Sequence, residues 1–103
     1  MSERQGDVRI LRTTPAQGVW RAVYATRGED GRAKIEEERI EEFAVYEDES
    51  GNRLVSGMRE NGELSVMRDD FVGHFSGKTP RHKIRDAAES FVRAREQEKG
   101  NQI

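Results

Sequence analysis

Four cations stand within eight residues in Lys78-Thr-Pro-Arg-His-Lys-Ile-Arg85: Lys78, Arg81, Lys83 and Arg85. Thr79 and Pro80 in the same run suit the start of a helix, Thr79 as N-cap and Pro80 as first helical residue. A helix start already carries partial positive charge and unpaired N–H groups, so cations added there oppose the backbone field. Local folding does not explain their position, whereas an anion would: a phosphate, or the carboxylates of another protein. These four residues are therefore the candidate anion- or partner-binding site, against the plainer alternative of a solvated helix surface or pairing with the chain's own acidic strand. The run is not a nucleotide-binding loop. Ahead of Gly77-Lys78-Thr79 that motif needs a glycine at position 72, where Val72 stands, and Gly73 is one residue late.

The imidazoles, His74 and His82, follow Asp69 and Asp70, and such groups can serve as general bases or metal ligands. No Ser-His-Asp order, His-Glu-x-x-His helix or paired-carboxylate motif accompanies them, so no catalytic residue, metal site or cofactor is expected and the chain reads as a non-enzyme. The absence of cysteine excludes disulfides, thiolate ligands and thiol nucleophiles. Asp48-Glu-Ser-Gly-Asn52 has the first half of a calcium loop without the second, and a hairpin turn accounts for it.

The acids form the opposite field. Between Glu29 and Glu49 there are ten acids against three bases, and between Lys78 and Lys99 seven bases against four acids, so a net charge of only -2 hides two sorted segments. Adjacent residues on a strand point to opposite faces, so Glu36, Glu37 and Glu38 cannot all converge on one cation. Glu36, Glu38, Glu41 and Glu42 are read as an acidic docking face, against the plainer alternative of a solvated edge strand kept from aggregating by its charge.

These residues have to be positioned by a small scaffold. A chain of 103 residues builds one core. With 33% hydrophobic and 37% charged residues, it must concentrate its apolar side chains, and dimerisation would add burial. Residues 1–7 and 100–103 are polar ends expected to be disordered, leaving one domain over 8–99. Within it, Val8 and Ile10 start a strand before a loop at 13–18; residues 18–26 form a strand ending at the turn Gly28-Glu-Asp-Gly31.

Residues 33–42 have helix propensity, but the hairpin pattern that follows, 43–47 against 53–58, favours strand. Ile35, Phe43 and Val45 share one parity and Ile40, Ala44 and Tyr46 the other. This predicts a bulge near Arg39 to Glu41, or a strand covered on both sides at Phe43. Asn61-Gly62 predicts a type I′ turn into a further strand over 63–67. Residues 69–77 read as a connector whose Phe71, Val72 and Phe75 plug the core. The helix runs from Pro80 to about Glu98, on the stripe Ile84, Ala87, Ala88, Phe91 and Val92, with Gly100 closing it. Trp20, Tyr24 and Tyr46 are expected in the core rather than on a stacking platform.

The expected class is α+β: an antiparallel meander of four to five strands, open or partly rolled into a barrel, with one C-terminal amphipathic helix packed on it. A small SH3-like barrel with an appended helix is the rival. No stretch has the roughly 18 apolar residues of a membrane span, and the first residues lack the apolar core of a signal peptide. A cytoplasmic location without membrane contact is expected. The expected function is a non-catalytic binding or adaptor protein that docks through its sorted charges on another protein, or on a second copy of itself. The alternative is nucleic-acid binding through the basic turn.

Overall fold

The computed structural model describes residues 4–5 and 8–100. The ends expected to be disordered lie outside these residues, apart from Arg4–Gln5 and Gly100. In chain order the elements are β1 (Arg4–Gln5), β2 (Val8–Pro15), β3 (Trp20–Arg27), β4 (Ala33–Arg39), β5 (Glu42–Glu47), β6 (Arg53–Met58), a 3-10 turn (Ser65–Met67), β7 (Phe71–Ser76) and α1 (Arg81–Gly100). The α+β class is as expected, with antiparallel strands divided between two sheets, β1-β2-β5-β6 and β4-β3-β7, and no closed barrel among the described residues.

The acidic segment is strand, and it breaks where its apolar parity changes. β4 pairs with β3 in one sheet and β5 pairs with β2 and β6 in the other, so Ile40 and Glu41 form a corner between sheets. Ile40 is buried at that corner, and its N–H donates to the Trp20 carbonyl at 2.9 Å. The parity conflict follows from this. Phe43 packs with Ala22, Tyr24 and Ile40 between the sheets, whereas Ala44 and Tyr46 pack with Val8 and Leu64 on the other face of β5. A strand covered on both sides has no polar parity to show.

Helix α1 covers the outer face of β4-β3-β7, burying Ile84, Ala88 and Val92; Ala88 and Val92 pack against Ala25 and Ala33. Its first turn is closed by the N–H groups of Lys83 and Ile84, which both donate to the Pro80 carbonyl. Pro80 therefore stands at the cap position, one residue later than expected, and the Thr79 hydroxyl pairs with Ser76.

Three further expectations are corrected. The connector over 69–77 is in fact strand β7, held by pairing with β3 from Trp20–Ser76 to Tyr24–Phe71. The predicted strand over 63–67 is a 3-10 turn with a single bridge, Met58–Leu64, because Leu64 and Ser65 turn inward to close the core under β6. Its turn is not type I′ either, since no non-glycine residue among those described has positive φ. In Arg59-Glu-Asn-Gly-Glu63 the Gly62 N–H donates to the Arg59 carbonyl and the Arg59 N–H to the Glu63 carbonyl, with Gly62 at φ 85°. This is a three-residue hairpin loop with a left-handed glycine. The same bonds recur in Gly28-Glu-Asp-Gly-Arg32 and Asp48-Glu-Ser-Gly-Asn52, with Gly31 at 84° and Gly51 at 86°.

Candidate functional site

The two charged segments lie against each other. The Arg81 guanidinium pairs with Glu37, whose other oxygen lies 3.7 Å from Arg21. Arg85 donates to the Ala33 carbonyl at 2.8 Å, and Glu89 on the next helical turn accepts from the Ala33 N–H at 2.9 Å. α1 is thereby tied to the first residue of β4 at both of its backbone polar groups. Two of the four predicted cations, Arg81 and Arg85, thus join the helix to the acidic strand. The other two, Lys78 and Lys83, are exposed and make no ion pair among the described residues. Lys78 lines a groove of about 610 Å³ with Arg21 and Trp20.

The four predicted acids also divide. Glu36 and Glu38 project from the face of β4 opposite Glu37 and are each held by an arginine from a later segment. Arg68 reaches Glu36 at 2.7 Å and Arg59 reaches Glu38 at 3.0 Å. Between them lies Tyr24, fully buried, whose phenol donates to Glu38 at 2.8 Å. The Arg68 guanidinium sits 3.9 Å over the Tyr24 ring and forks onto Asp70 through two bonds of 2.9 and 2.6 Å. Burial, with the Glu38 carboxylate beside it, pushes the Tyr24 phenol up to about 12. This network holds its own charges in a fixed geometry. Glu41 and Glu42, at the corner, are exposed; Glu41 has only a loose contact with Arg39 at 3.5 Å, and Glu42 makes no ion pair among the described residues.

His74 is separated from the acids with which sequence associates it. It lies between the sheets against the rings of Phe43 and Phe71, and its Nε2 accepts from the Gly57 N–H at 2.9 Å. Burial lowers its pKa. Asp70 is on Arg68, and His82 is exposed on α1. Asp48 accepts from the N–H groups of Ser50 and Asn52, which lower its pKa and close the hairpin. Among the described residues no three His, Asp or Glu side chains are placed to hold a metal ion, and no helix is long and apolar enough to cross a membrane.

The surface that sequence reading missed is the outer edge of β6. Leu54 is 44% exposed and Val55 58%, and both lie on an edge strand. On the same face as Val55, the strand registers set Arg9, Glu47 and Arg53 in one row and Arg12, Val45 and Val55 in the next. Arg12 and Arg53 are exposed and make no ion pair among the described residues, while Arg9 lies 4.0 Å from Glu47. No sequence signal marks this edge, because Arg53-Leu-Val reads equally as an inner strand. Comparison with protein-family models, with curated proteins and with solved structures finds no match for this chain.

Proposed function

We propose that the chain is a cytoplasmic, non-catalytic binding protein that docks on another protein. The observation that carries this reading is the exposure of Leu54 and Val55 side by side on an edge strand, beside arginines with no internal carboxylate to hold them. Exposed apolar residues on a sheet edge are costly in water and invite pairing, and charge around them selects the partner. The groups best suited to chemistry are used differently: Tyr24, Glu38, Arg59, Arg68 and Asp70 satisfy one another, and His74 holds Gly57.

The test is affinity capture from lysate of the source cells, at low and at high salt. Partners retained at low salt and released at high salt support docking; capture of nothing at low salt overturns it.

A second reading, nucleic-acid binding, draws on Lys78, which shares its groove with Arg21 and Trp20. With Arg81 on Glu37 and Arg85 on Ala33, two of the four basic-turn cations are free rather than four. Phosphate contacts by Lys78 and Lys83 predict an affinity for oligonucleotides that falls steeply with salt, and a flat salt dependence ends this reading.

A further inference from the structure

We infer that β6 is a docking edge for an extended acidic segment of a partner protein, added to the sheet as a further strand beside Arg53, Leu54 and Val55. This rests on the docking function proposed above and names the class of partner and the place where it binds.

The backbone geometry fixes which groups are open. At the loop end, the Asp48 N–H donates to the Asn52 carbonyl, so Asn52 faces β5 and Arg53 faces away. At the other end, the Gly57 N–H is directed away from β5, onto His74. Residues in an antiparallel strand alternate in this respect, so both ends agree that Arg53, Val55 and Gly57 present N–H and C=O outward. Gly57 is already satisfied on both counts: its N–H by His74 and its carbonyl by the Ser56 hydroxyl at 2.9 Å. The open stretch is therefore Arg53 to Val55, with two donors and two acceptors.

Side chains specify what fits. An added strand places alternate residues beside Arg53 and Val55 on one face and beside Leu54 on the other. The first face carries Arg53, Arg12 and Arg9 against the single acid Glu47, and carboxylates are its complement. The second offers Leu54, next to Tyr46 in register, and takes an apolar residue. Alternating acidic and apolar residues satisfy both faces at once. A second copy of β6 fits less well. With Gly57 occupied, self-pairing centres on Leu54 and places the two Arg53 side chains on a diagonal of roughly 7–8 Å with no acid between them.

The experiment titrates the protein with a fluorescein-labelled peptide, Gly-Glu-Val-Glu-Val-Glu-Gly, and with its lysine counterpart, Gly-Lys-Val-Lys-Val-Lys-Gly. Two variants are compared with wild type. Val55→Pro removes an outward N–H that the β5 ladder does not use, and Arg53→Glu reverses an exposed charge. The inference expects the acidic peptide to bind and the lysine peptide not to bind, with at least tenfold weaker binding in each variant.

Equal binding of the two peptides, or acidic-peptide binding unchanged by Val55→Pro, overturns strand addition. So does a wild-type dimer in sedimentation that dissociates on Val55→Pro, which would assign the edge to a second copy. An oligonucleotide that binds more tightly than the acidic peptide and is lost on Arg53→Glu alone also overturns it. If Val55→Pro still captures the salt-sensitive partners from lysate, strand addition fails and docking stands. If wild type captures none, docking itself fails.

Discussion

The Nε2 of His74 accepts a hydrogen bond of 2.9 Å from the backbone N–H of Gly57, joining β7 of one sheet to the edge strand of the other. The bond requires a neutral imidazole with its proton on Nδ1, because a protonated ring has no lone pair to offer. Burial already disfavours the charged form and lowers the pKa of His74. Its folded pKa lies below the unfolded value of about 6.5, so the unfolded chain binds more protons across that interval. The stability it contributes is complete above about pH 6.5 and is lost as pH falls through the folded pKa. Urea unfolding midpoints are expected to drop from neutral pH to below pH 6. His74→Gln, which can accept through its amide oxygen but does not titrate, should flatten that part of the curve. An unchanged slope would assign the acid sensitivity to other groups.

The same junction makes Gly57 intolerant of a side chain. A Cβ there would stand 2.6 Å from Ile40 Cδ1 and 2.9 Å from its Cγ1, and Ile40 is itself buried at the corner between sheets. Gly57→Ala is expected to cost about 1–3 kcal/mol by overpacking. Thermal melting checks the loss, and Ile40→Val in the same chain should recover part of it by making room.

Tyr24 reports on the network beside that junction, with Phe71 packed between it and His74. Its phenol is pushed up to about 12 by burial and the neighbouring carboxylate, and Tyr46 is also raised, by burial first and then Asp48. Folded pKa values above the unfolded value of about 10 contribute stability that is present below pH 10 and lost as pH rises through the folded values. Absorbance at the tyrosinate band should therefore show less phenolate near pH 10 in the folded protein than two free tyrosines would give, with the Tyr24 share appearing only at higher pH or on unfolding. Tyr24→Phe keeps the burial and leaves Glu38 to Arg59 alone, with an expected loss of about 1 kcal/mol.

How much of this was legible depends on the range of the interaction. The helix and the strandedness of 18–26 and 43–58 are written in local periodicity, and the parity conflict over Ile35, Ile40 and Phe43 marks the segment of the corner, although it reads as a bulge or a doubly covered strand rather than as a change of sheet. Sheet membership was not legible, because pairing of β3 with β7 rather than with its neighbour β2 is settled by tertiary contacts. The 3-10 turn escaped for a similar reason: Leu64 and Ser65 are drawn inward by the core against the β pattern around them. In the basic turn, two of the cations at the helix start are held from outside the helix, Arg81 by Glu37 and Arg85 by the Ala33 carbonyl. The glutamate that holds Arg81 lies forty-four residues earlier, beyond any local rule.

Arg68 makes three charged hydrogen bonds, two to Asp70 and one to Glu36, while its plane covers Tyr24. A lysine offers a point charge without the fork or the stacking plane. Arg68→Lys is expected to destabilise by about 3 kcal/mol, since charged hydrogen bonds contribute about 1.5–3 kcal/mol each and the ammonium can retain only one of the three. Arg81→Ala, by contrast, removes a guanidinium that is 76% exposed from its pair with Glu37. Its loss should be about 0.5 kcal/mol and vanish at high salt. Equal losses from the two substitutions, measured by urea unfolding, would show that the helix start rather than the Tyr24 network holds β4.

The three turns sharing a Glu-x-Gly core allow a comparison within one molecule. Gly31, Gly51 and Gly62 all lie near φ +85°, and a Cβ at any of them would meet nothing within 4 Å. Alanine there suffers conformational strain alone, about 1–2 kcal/mol at each site. The turns differ in support: Asp30 and Asn61 each accept one N–H two residues on, whereas Asp48 accepts two from its loop and a further bond from the Asn52 side chain. Gly51→Ala should then unfold with the whole domain, since its loop is held at both ends. Gly62→Ala should loosen the path from β6 into Leu64, with hydrogen exchange rising at Glu63 to Val66 before global unfolding. The sites share no partners, so the losses should add to within about 0.5 kcal/mol. A triple variant well outside that sum would show that the turns are coupled through the edge strand that two of them bracket.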